Sequence, residues 1–155
     1  MKYRKLTKEQ FESLDKEFAQ FLATQKIDKD QWSKIKVNKP ELVEEELNIF
    51  SDMVWEDVLN KVNYLEHISK NSMNLFKIND QTMDRIVVQI DKNIDLFKED
   101  DYKWLLNNPN DDSIAYFKGS KKYQKEKNIE IFNLIEKGSQ ISRGELFDFF
   151  NSITS

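Results

Sequence analysis

The run from Lys39 to His67, KPELVEEELNIFSDMVWEDVLNKVNYLEH, is the longest periodic apolar stretch in the chain, and any fold must be built to cover it. Pro40 marks a helix start, because a first helical turn tolerates proline where the missing N–H has no intrahelical partner. Glu41, Glu44, Glu45 and Glu46 then place carboxylates near the positive end of the helix dipole. Val43, Leu47, Phe50, Val54 and Val58 follow spacings of three and four and form one stripe, and Trp55, Leu59 and Val62 add a second in the later half. The spacing predicts a long central helix, wet on its acidic side at first and buried later, with Asp52, Glu56 and Asn60 on the strip left near solvent.

A chain of 155 residues fits a single domain, 1–155. Such a chain buries roughly two thirds of its unfolded surface. Apolar residues make up 39% and charged residues 34%, which argues for a folded domain with a heavily charged surface rather than a disordered chain. There are no cysteines, no N-terminal apolar run of the signal-peptide kind and no apolar stretch near the roughly 18 residues a membrane span needs. A cytoplasmic protein that does not enter a membrane is expected.

The net charge of −4 is unevenly spread. Residues 1–38 carry nine Lys or Arg against six acids, residues 41–66 one Lys against eight acids, and residues 118–137 six Lys against three acids. Either the basic segments lie over the acidic helix within the monomer, or one charged face meets a partner.

Around the central helix the signals are local. Thr7 and Gln10 form a capping box, with Leu6 and Phe11 placed as a hydrophobic staple, and Phe11, Leu14, Phe18, Phe21 and Leu22 make the apolar face of a helix ending near Gln25. Asp28 is placed to cap a short helix that turns Trp32 and Ile35 inward. Asn63 to Ile68, Ser72 to Ile78 and Arg85 to Ile90 are runs of strand formers, with Asn79-Asp80 as turn chemistry, and predict a small antiparallel meander. Leu96 to Leu106 reads as a helix burying Phe97, Trp104 and Leu105, and Asn107 to Asp112 as a loop. Gly119-Ser120 reads as a break and Lys121 to Lys127 as a solvated basic run. A helix through Ile129, Ile131, Phe132 and Ile135 ends at Lys137-Gly138, and a second capping box, Ser142 with Glu145 and Ile141 stapled to Leu146, opens the last helix. The fold class expected is α+β, mainly helical, with a small antiparallel sheet of about three strands packed on the central helix.

The opening KYRKLTKEQFESLDKEFAQFLATQKID, the segment FSDMVWEDVLNKVNYLEH and the closing LIEKGSQISRGELFDFFNSI resemble a family of short proteins of unknown function from Bacteroidetes. The resemblance runs over nearly the whole chain. It implies a cytoplasmic single-domain family and carries over no catalytic residue, ligand or partner.

Catalytic machinery is sparse. There is no thiol, the single histidine His67 has no second histidine to complete a zinc site, and three glycines leave no room for a phosphate-binding loop. Asn108, Asn110 and Asp112 imitate the start of a calcium loop, but Ser113 and Gly119 stand where glycine and glutamate are required. No cofactor is expected. The best enzymatic constellation is Asp52, Glu56 and Asp57 with Glu66 and His67, with Asp52, Glu56 and His67 as its catalytic candidates, a carboxylate and imidazole set suited to a metal or to acid–base work. For RNA, Lys2, Arg4 and Lys5 with Tyr3, and Lys121, Lys122 and Lys125 with Tyr123, mix phosphate-binding and stacking side chains. For a protein partner, Glu45 and Asp52 lie on the acidic helix face beyond effective reach of its dipole, where like charges want compensation. Lys34, Lys36 and Lys39 are the nearest preceding lysines. The leading reading is a non-enzymatic module that binds another cytoplasmic protein, with an RNA- or translation-associated factor and a metal-assisted enzyme as alternatives.

Overall fold

The computed structural model describes residues 1–155, which fall into two compact units, 1–60 and 61–155. The first is helical: α1 (Lys8–Ser13), α2 (Asp15–Thr24), α3 (Lys29–Asn38) and α4 (Pro40–Asn60). Both expected N-terminal caps form. Thr7 accepts from the Gln10 N–H at 3.2 Å and Asp28 from the Gln31 N–H at 2.8 Å, and in each case the glutamine side chain accepts the cap residue's own N–H. These caps satisfy donors that a helix start leaves without partners. The core of this unit is aromatic, with Phe50 of α4 surrounded by Phe11, Phe18 and Phe21 at centroid distances of 6.1, 5.0 and 5.5 Å. Trp32 of α3 meets the Phe18 ring edge to face at 5.4 Å.

The buried line of α4 is Glu46, Phe50, Ser51, Trp55 and Leu59, so the stripe expected to continue to Val58 is rotated and Val58 is exposed. Two polar residues disguise the true inner face. Glu46 is buried because it accepts from the Gln25 amide at 2.7 Å, and Ser51 because its Oγ accepts the Leu6 N–H at 3.1 Å. Each polar group lost to water has a hydrogen-bond partner, which makes its burial tolerable.

The second unit is built on a five-stranded antiparallel sheet in the order β4-β3-β2-β1-β5, not the expected three strands. β1 (Tyr64–Ile68), β2 (Ser72–Ile78) and β3 (Thr82–Ile90) are the expected meander. The strands not anticipated are β4 (Ile114–Lys122) and β5 (Gln140–Ser142). β4 runs straight through Gly119-Ser120 because all nine of its residues are in register with β3, from Ile90↔Ile114 to Thr82↔Lys122. Distant pairing supplies what the local residues do not favour. Tyr123 fastens the end of that strand by donating to the carbonyls of Asn79 and Thr82, at 2.7 and 2.9 Å, in the β2–β3 turn.

One face of the sheet carries Met73, Leu75, Ile86, Val88 and Ile90 into a core completed by Ile94, Leu96, Leu105 of α5 (Glu99–Asn107), and Phe147 and Phe150 of α7 (Glu145–Ile153). Phe97, expected inside, is exposed, because the Leu96 N–H is tied to the Lys70 carbonyl at 2.8 Å and buries Leu96 instead. α6 (Lys127–Glu136) ends as expected at Lys137-Gly138: Gly138 has φ +114°, its N–H binds the Ile135 carbonyl and the Ser139 N–H binds the Leu134 carbonyl, both at 3.0 Å. The start of α7 differs from expectation. Ser142 belongs to β5, Ile141 is exposed instead of stapling Leu146, and the N-cap is Gly144 at φ +86°. The Ser142 hydroxyl accepts the Gly144 N–H at 3.2 Å, so it shapes the turn ahead of the helix rather than its first turn.

Candidate functional site

The residues singled out in the sequence are distributed over the two units. In the first unit the basic opening lies along α4. Asp52 accepts two consecutive backbone N–H groups, from Lys2 at 2.6 Å and Tyr3 at 2.9 Å, while the Tyr3 hydroxyl donates to Glu56 and Lys2 Nζ stands 3.6 Å from it. Lys5 pairs with Glu44, and the Arg4 guanidinium lies 4.9 Å from the centre of the Trp55 ring. Compensation of the acidic helix face is therefore internal at Glu44, Asp52 and Glu56, and it comes from the opening five residues rather than from Lys34, Lys36 or Lys39. Glu45 is exposed and has no ion pair.

Reversing Asp52 to Lys should lower stability by about 1 to 3 kcal/mol, the cost of leaving donors without their acceptor and repelling Lys2. Glu45→Lys should stay within about 0.5 kcal/mol. Urea midpoints of the two variants separate these outcomes, and equal midpoints would show that the opening segment does not bear on α4.

Burial, reinforced by the hydrogen bond and charge of Glu56, pushes the Tyr3 phenol up to about 12, and burial with the charge of Glu130 does the same for Tyr123. A phenol raised in the folded state favours folding below the unfolded value of about 10, and that contribution is lost as pH rises through 12. Ultraviolet titration should find two of the five tyrosines ionising near pH 12, and Tyr3→Phe should remove one of them. A Tyr3→Phe profile that loses its step near 10 instead would contradict the placement of the arm.

Asp52 and Glu56 are thus engaged by backbone, tyrosine and lysine donors, and His67 stands in the second unit among different neighbours. No group of three or more His, Cys, Asp or Glu side chains is placed to hold a metal ion. In the Asn107 to Asp112 loop, Asp111 accepts from the Ser113 N–H and hydroxyl, at 3.0 and 2.6 Å, closing a turn on itself.

The largest concavity is in the second unit, on the sheet face opposite the apolar core. Strand alternation sends His67 of β1, Asn74 and Phe76 of β2, Met83 and Arg85 of β3, and Gly119 and Lys121 of β4 to this side. Across from them α6 contributes Glu130, Asn133 and Leu134, followed by Lys137, and the groove between has a volume of about 760 Å³. Gln124, Lys125 and Ser139 complete its lining. The helix end is fixed against the sheet at Gly138, where an added Cβ would lie 3.2 Å from His67 Nε2.

Four cations, Arg85, Lys121, Lys125 and Lys137, line this groove against one acid, Glu130. Glu130 is already committed. Lys121 reaches it at 2.9 Å and the Lys125 N–H at 3.3 Å. Burial would raise its carboxyl, but these bonds and one from the Gln124 backbone outweigh it and hold the group below the usual carboxylate range. Arg85 is pre-set: Asn74 Oδ1 accepts from its Nε at 3.1 Å and from one terminal nitrogen, while the guanidinium lies 5.7 Å from the centre of the Phe76 ring. Of the residues foreseen for nucleic acid, the groove gathers Lys121 and Lys125. Lys122 alternates to the other side of β4, and Lys2, Arg4 and Lys5, in the opening segment, are engaged with Asp52, Trp55 and Glu44 of α4. Arg85, Asn74 and Lys137 were not foreseen; the signal available was the alternation of Met83, Arg85 and Val87, and a lysine at a glycine-terminated helix end.

A family model described as a family of unknown function, DUF6495, matches residues 1–155, and the chain belongs to that family. No curated protein and no solved structure matches it. No helix is long and apolar enough to cross a membrane.

Proposed function

We propose that this member of the family is a non-enzymatic binding module that takes an acidic segment of another protein in the groove between its sheet and α6. One observation carries the reading: in a chain of net charge −4, four cations converge on a single groove whose only carboxylate is already bound. Convergent charge of this kind selects and steers an oppositely charged partner. RNA is the weaker fit. Single-stranded nucleic acid needs exposed aromatic faces on which bases stack, and of the two rings in the groove Phe76 is buried beneath Arg85 and His67 is half-buried against Gly138.

Fluorescence anisotropy with labelled acidic peptides and with oligouridine at low salt tests this. Acidic peptides should bind, and added salt should weaken them as it screens the groove. Binding of oligouridine alone, or of neither probe, would overturn the reading.

A further inference from the structure

We infer that the groove is built for a phosphomonoester on its partner segment, that is, for a phosphorylated serine or threonine flanked by a carboxylate; this rests on the reading of the groove as a site for an acidic protein segment. Once Lys121 is subtracted with Glu130, three cations remain, Arg85, Lys125 and Lys137, and none of them has an ion pair within the protein. A single carboxylate matches one of the three. A phosphomonoester carries about −1.5 to −2 at neutral pH, so with one neighbouring carboxylate it matches all three.

Donor geometry favours the same ligand. Arg85 has five N–H donors, of which Asn74 Oδ1 engages one on Nε and one on a terminal nitrogen. The remaining donors belong to a planar group whose orientation is fixed by Asn74 on one side and the Phe76 ring beneath, and such a fork suits phosphate oxygens taken in pairs. Lys125 and Lys137 act as mobile point charges around it. Asn133, Gln124 and Ser139 add neutral hydrogen-bonding groups along the groove, as a peptide backbone requires.

The test uses the full chain and an oriented peptide library of acidic background with a fixed central phosphoserine, set beside the same library with serine or glutamate at that position. The phosphoserine library should bind about tenfold tighter or better than either. Inorganic phosphate at millimolar concentration should compete. Arg85→Lys keeps the charge but loses the fork, and should remove most of the phosphoserine advantage while leaving binding of the glutamate library nearly unchanged. Equal affinity for all three libraries would overturn the phosphate assignment and leave the acidic-segment reading standing. Failure of every peptide library to bind would overturn both. Circular dichroism of Arg85→Lys guards against a misfolded variant, and Asn74→Ala, which frees the guanidinium without removing it, provides an independent loss of the same advantage.

Discussion

Phe50→Ala should destabilise the helical unit by roughly 3 to 5 kcal/mol, the range for emptying a large aromatic site in a packed core. Phe50 is 3% exposed and touches Phe11, Phe18 and Phe21 together, so its removal detaches α4 from α1 and α2, which then keep only the 6.3 Å ring contact between Phe11 and Phe18. The neighbouring rings have little freedom to collapse inward, since Phe18 is also held by Trp32 and Phe21. Tryptophan fluorescence follows the loss directly, because Trp32 and Trp55 lie in this unit. Phe50→Leu, which leaves a smaller void, should cost less. An alanine variant with an unchanged denaturation midpoint would mean that the aromatic cluster does not hold these helices.

Gly144→Ala should cost about 2 to 6 kcal/mol in the sheet unit, from two causes that add. At φ +86° a residue with a Cβ is strained, at about 1 to 3 kcal/mol. The new carbon would also lie 2.6 Å from three atoms of the Tyr64 ring, closer than any van der Waals contact allows. Tyr64 cannot move freely, because its ring packs against Phe147 at 5.8 Å on the buried side of the sheet, and overpacking of this kind adds about 1 to 3 kcal/mol. Gly119→Ala is the matched control, since a Cβ there meets nothing within 4 Å. Equal melting temperatures for the two alanine variants would contradict this packing.

What could be read from the chain was what is decided locally. The box at Thr7, the cap at Asp28, the Asn79-Asp80 turn and the stop at Gly138 each depend on residues within a few positions of one another, and each forms in the expected place. Where partners lie far off in sequence, the local signal points elsewhere. The run KGSKK has the composition of a loop, yet Gly119 to Lys122 is strand because β3 stands beside it. Glu46 looks like one more solvated acid until Gln25 reaches it. Asp52 and Glu56 look like half of a metal or partner site until the N-terminal arm folds back over them. The groove combines both difficulties: its cations come from β3, β4 and the residues around α6, so no window of sequence contains them together. Lys121 and Lys125 were visible as a basic run, but their company of Arg85, Lys137 and His67 is set by strand register and by the helix end at Gly138.

The groove is tested most directly by the double reversal Arg85→Glu, Lys137→Glu, measured for affinity and stability together. Both side chains are exposed and neither has an anionic partner to lose, so Lys137→Glu should change stability by no more than about 0.5 kcal/mol, while Arg85→Glu, which gives up two bonds to Asn74 and the place over Phe76, should cost about 1 to 2 kcal/mol and leave the protein folded. Affinity for acidic peptides should fall about a hundredfold, because two cations that attracted the ligand now repel it. Acidic peptides that bind the reversed protein as tightly as the original would contradict the assignment of the groove as the working surface.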